Sequence, residues 1–66
     1  MSVARVTTIT ARSSKSFEDA VRMGVERSSE TLRNVTGAWV KEHQVSVSDG
    51  AITDWQVTLE VTFVLD

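Results

Sequence analysis

Gln56, Thr58, Glu60 and Thr62 recur at every second position near the end of the 66-residue chain. Their types suit recognition at a polar edge: a carboxamide both donates and accepts, a hydroxyl does the same, and a carboxylate accepts. Between them stand Val57, Leu59 and Val61, with Trp55, Phe63 and Leu65 in phase. This period-two alternation predicts a strand over Ile52 to Leu65 with one face buried. The polar row then sits on a rigid support, positioned to meet another subunit or a ligand.

The remaining chemistry-bearing residues point away from catalysis. His43 is the single histidine and the chain has no cysteine, so a zinc site lacks its usual donors. No serine or acid stands at a spacing that marks a triad with His43, and no glycine-rich phosphate loop is present. Asp49, Asp54, Glu42, Glu60 and Asp66 could meet across subunits around Ca²⁺, yet no loop carries the carboxylate spacing that ion wants. A binding role without turnover is the better expectation, with no metal site assigned.

Composition narrows the partners. Residues 1–66 are read as one domain, and a domain of this size buries only about 60% of the surface its unfolded chain exposes. With no disulfide available, self-association is the expected source of added stability. A net charge of −2 with seven dispersed basic residues gives no field for a phosphate backbone, which argues against nucleic acid. No apolar run approaches the roughly 20 residues of a membrane span. Met1 to Arg12 lacks the apolar core of a secretory signal, so the expected location is the cytoplasm.

The elements that must position the row follow in order. Val3 to Ala11, rich in valine, threonine and isoleucine, reads as a strand with imperfect alternation. Arg12 to Ser16 breaks it. Ser16-Phe17-Glu18-Asp19 has the serine and following acid of a helix N-terminus. From Phe17 a stripe of Ala20, Val21, Gly24, Ser28, Thr31, Leu32 and Val35 marks one helical face. Gly24 in its middle implies close approach of a sheet. On the opposite face Glu18 and Arg22, four apart, read as an attractive pair, and Glu26 and Glu30 as a repulsive one. Asn34 to Gly37 should end the helix, with either residue able to take a left-handed C-cap. A second strand runs Ala38 to Val47, with a bulge expected near Glu42 to Gln44 where the apolar parity switches. Ser48-Asp49-Gly50 signals a tight hairpin into the last strand. The expected fold is α+β, in the order β-α-β-β, with the last strand central and antiparallel to both neighbours. Gly37, Trp39 and Lys41 would then share an outward face with Gln56 and Glu60, a place for a flat ligand.

Read as a whole, the chain resembles the dodecin family. The resemblance runs through Val3-Ala4-Arg5-Val6, Ser16 to Ala20, Glu30-Thr31-Leu32-Arg33 and Asp49-Gly50. It is closest at Trp55-Gln56-Val57-Thr58 and Val61 to Leu65. It implies a three-stranded sheet partly wrapped around one helix and a hollow homododecamer that binds flavin (FMN, riboflavin or lumichrome) at two-fold contacts. The flavin ring is stacked by a tryptophan early in the second strand and hydrogen-bonded by a glutamine of the third. Gln56 matches that glutamine. The stacking position falls at Gly37, and the nearest indole is Trp39, two residues on. Glu42 falls where some members carry an acid near the ligand. The alternative is a flavin-free assembly of the same fold that serves as a scaffold or holds Ca²⁺ or coenzyme A at its interfaces.

Overall fold

The computed structural model describes residues 2–66. It contains strand β1 (Ala4–Ser13), helix α1 (Phe17–Thr31), strand β2 (Val35–Ser48) and strand β3 (Ala51–Val64). The sheet order is β1-β3-β2, both pairings antiparallel, as the alternation implies. Val57, Leu59 and Val61 of β3 and Ala20 of α1 are fully buried and form the core. Ile9, Ala11, Phe17, Val21, Val25, Leu32, Val35 and Val40 pack around them. Helix and sheet meet tightly at Gly24, where a Cβ would lie 2.9 Å from Leu59 Cδ1 and 3.2 Å from Ala11 Cβ. Glycine allows this approach without displacing those side chains, at a cost of about 1 kcal/mol in helix propensity.

The local start signals operate as expected. Ser16 caps α1, its Oγ accepting from the Asp19 amide at 3.0 Å. Asp49 and Gly50 both have positive φ, 51° and 77°, which gives the hairpin a twist matched to its strands.

Four expectations are corrected. β1 runs on through Arg12 to Ser13, because Arg12 pairs with Gln56 and Ser13 with Trp55. The helix ends at Thr31, before the expected end at Asn34 to Gly37. The Leu32 amide donates to Ser28 O at 2.8 Å, Asn34 takes the left-handed turn (φ 61°), and Val35 already pairs with Phe63 in β2. Gly37 is thus a strand residue and not a cap. Finally, Arg22 pairs with Asp19 and with Glu26 rather than Glu18, and Arg27 pairs with Glu30. The bulge of β2 falls between Val40 and Glu42, one step before the expected site, and further register shifts occur at Val35/Gly37 and Ser46/Val47.

The hairpin of β2 and β3 outruns the rest of the chain, since β1 stops opposite Trp55. The principal extents are 51 × 19 × 13 Å and the radius of gyration is 13.5 Å, whereas a compact chain of this length has about 11 Å. Val47 and Ile52, cross-strand partners near the tip, remain 61% and 48% exposed. An apolar arm of this kind finds no burial within its own chain.

Candidate functional site

Cross-strand partners share a face, so the register fixes what each side of the sheet presents. The helix-side face carries Ile9, Leu59 and Val40 in one row and Ala11, Val57 and His43 in another. The His43 ring stacks on Phe17 with centroids 4.6 Å apart and 22° between planes. This places the single histidine against the helix start and away from the polar row. Trp55, expected in the core, is half-buried beyond its edge, opposite Ser13 and Val45.

Among the described residues no element covers the outer face. From one end it reads Arg12, Gln56, Gln44; then Thr10, Thr58, Glu42; then Thr8, Glu60, Trp39; then Val6, Thr62, Gly37. Gln56, Thr58, Glu60 and Thr62 are half-buried even so, because they lie on the central strand between flanking side chains. Trp39 is a large indole left 63% exposed in one chain. At Gly37 nothing lies within 4 Å of where a Cβ would be, so the position expected to stack the ligand is open space.

Five polar side chains bond one another on the outer side of the sheet. Arg12 Nε donates to Gln56 Oε1 at 2.6 Å, and Gln56 Nε2 donates to Gln44 Oε1 at 3.4 Å. Lys41 Nζ donates to Glu60 Oε1 at 3.2 Å. Gln56, Gln44 and Glu42 therefore stand in adjacent rows. Trp39 lies one row beyond Glu42's, and Gly37 one row further. At about 3.4 Å per strand residue, Gln56 is roughly 13 Å from the Trp39 row and roughly 20 Å from the Gly37 row. One chain does not bring its expected ring-edge and ring-face contacts together. A two-fold arrangement of two such faces, running in opposite directions, could.

Arg12 and Gln44 were not among the expected site residues. Arg12 opens the segment expected to break the strand, yet the alternation Thr8, Thr10, Arg12 carries it onto the outer face. Gln44 was assigned to the bulge.

A second polar cluster lies at the helix start. Ser13 Oγ donates to Asp19 Oδ2 at 2.6 Å and accepts from the Lys15 amide at 2.9 Å, while Arg22 also donates to Asp19. The Ser13 hydroxyl first, and the Arg22 guanidinium second, hold the Asp19 carboxyl below the usual carboxylate range and raise Arg22. This cluster joins β1 to α1. Among the described residues no group of three His, Cys, Asp or Glu side chains could hold a metal ion within one chain. Also among them, no helix is long and apolar enough to cross a membrane.

The chain matches the Dodecin family model over residues 3–66. Its structure is similar to the dodecin from Streptomyces davaonensis, with a TM-score of 0.93 and 40% identity over 98% of this chain and 96% of that one. For the dodecin from Streptomyces coelicolor the TM-score is 0.93 and the identity 34%, over 98% and 93%. A calcium dodecin from Mycobacterium tuberculosis, described as calcium chelating, matches with a TM-score of 0.84 and 30% identity over 98% and 93%. None of the curated proteins matches the chain. From the central third strand, the single helix it packs against and a match over nearly the full length, the chain belongs to the dodecin family, a family of binding proteins rather than enzymes.

Proposed function

We propose that this chain binds and stores flavin, stacking the isoalloxazine rings of FMN, riboflavin or lumichrome at two-fold contacts of a hollow homododecamer in the cytoplasm. The observation that carries the reading is the outer face of the sheet. Gln56 lies half-buried there with its carboxamide held in place, and an exposed indole stands on the same face at a distance one chain does not bridge. A flavin is a large flat aromatic that binds best between apolar plates with a few edge-directed donors and acceptors. Gln56 supplies the edge contact. Trp39 of a second copy supplies the plate, Gly37 leaves the ring room, and Glu42 lies one row from Gln56 at the rim. The bound flavin is sequestered and its photochemistry quenched, with no substrate turned over.

A second reading is favoured by one observation, the open space at Gly37. Loss of a stacking plate costs about 0.5–1.5 kcal/mol beyond area burial. An assembly without it could serve as a flavin-free scaffold, or hold Ca²⁺ or coenzyme A where copies meet. Fluorescence titration of riboflavin, FMN and lumichrome separates the two, because a stacked flavin is quenched. Saturable quenching with micromolar protein is expected; emission unchanged up to tens of micromolar protein would select the scaffold.

A further inference from the structure

Gln56 is the middle member of a polar row that crosses the sheet from edge to edge. Arg12 faces it from β1 and Gln44 from β2. The contacts have a chemical direction. A guanidinium carries donors only, so it can face the carboxamide by the oxygen alone, and the 2.6 Å bond from Arg12 Nε to Gln56 Oε1 decides which way round that amide lies. The bond from Gln56 Nε2 to Gln44 Oε1 agrees with the same orientation. A cationic donor on the carbonyl also draws electron density from the amide nitrogen and strengthens its N–H groups as donors. One lone pair and one N–H of Gln56 are left over, in a fixed order across the face.

We propose that Arg12 is a positioning residue for ligand recognition: it locks the Gln56 carboxamide in one orientation, so the niche reads a carbonyl-and-imide ring edge with the ring carbonyl on Gln56 Nε2. The inference rests on the reading above that Gln56 meets the ligand, and adds what sets the direction of that contact. The ligand class it selects is a planar heteroaromatic carrying adjacent C=O and N–H groups. Arg12 is suited to act through Gln56 without holding up the fold. It is exposed, lies on an edge strand, and pairs with no carboxylate among the described residues.

The test is a double-mutant cycle read by lumichrome quenching, since the bare ring has no phosphate for the cation to attract. Arg12→Met is expected to weaken binding about three- to tenfold, and Arg12→Lys, which keeps a charged donor, to stay within about twofold of the parent. In a Gln56→Ala background Arg12→Met should change nothing further, because the coupled partner is gone. The thermal midpoint of Arg12→Met should equal that of the parent. Equal losses with and without Gln56, or no loss with it, would overturn the proposal. If the parent fails to quench lumichrome, the flavin reading falls, and the lock is judged on the ligand-free protein. There the Gln56 side-chain amide resonances should move in Arg12→Met and return in Arg12→Lys. Unmoved resonances would overturn it.

Discussion

The two faces of β3 share one strand and differ in what completes them. On the helix side Val57, Leu59 and Val61 lose all contact with water inside a single chain. On the other side Gln56, Thr58, Glu60 and Thr62 are half-buried by neighbours on their own sheet, hydrogen-bonded at Gln56 and Glu60, and covered by nothing. The first face is finished by folding. The second carries an exposed Trp39 and an open Gly37, features that folding alone leaves without a reason. Stability and recognition are thereby separated by one residue of register, since side chains alternate across the strand.

Substitutions should respect that division. Leu59→Ala is expected to have the largest effect, about 2–5 kcal/mol of lost stability, read as a drop in the urea midpoint. Gly24→Val should follow at about 1–3 kcal/mol, because the space for its Cβ is taken by Leu59 Cδ1 and Ala11 Cβ. On the outer face a Cβ at Gly37 has nothing within 4 Å, and Gly37→Trp should leave the midpoint alone while tightening flavin about tenfold, measured by quenching. Unchanged affinity there would mean the niche differs by more than a missing plate.

The smallest effect belongs to the joint between β1 and α1. Asp19 has its pKa depressed in the folded chain by Ser13 and Arg22. Its stabilising contribution is therefore present above the ordinary carboxylate pKa, about 4, and is lost as pH falls through the lower folded value. The urea midpoint should hold steady from neutral pH down to about 4 and decline from there toward the lower folded value. Asp19→Asn should flatten the decline.

Much of the helix-side face was legible in the sequence because its signals are local. The alternation of Val57, Leu59 and Val61, the Ser16 cap and the Asp49-Gly50 turn each act within a few residues. The helix end was not legible in the same way. Leu32 and Val35 continue the apolar stripe and pack, partly buried, against the core, but they reach it from a turn and from β2. Burial does not reveal which backbone presents a side chain. β1 was cut short for a related reason: Ser13 resembles a breaker, yet pairs with Trp55 and is buried through its bonds to Asp19 and Lys15. That error hid Arg12. The outer face was legible in type and not in geometry, because the spacing of Gln56 from Trp39 depends on a register that bulges shift.

The most direct test of the central claim, that a second copy closes the outer face, is hydroxyl-radical footprinting of the two tryptophans in the assembled protein. In one chain Trp39 is the more exposed of the pair and Trp55 is half-buried. The account predicts Trp39 oxidised more slowly than Trp55, in a particle near twelve times the 7.3 kDa chain mass. Trp39 reacting as a freely exposed indole would contradict it.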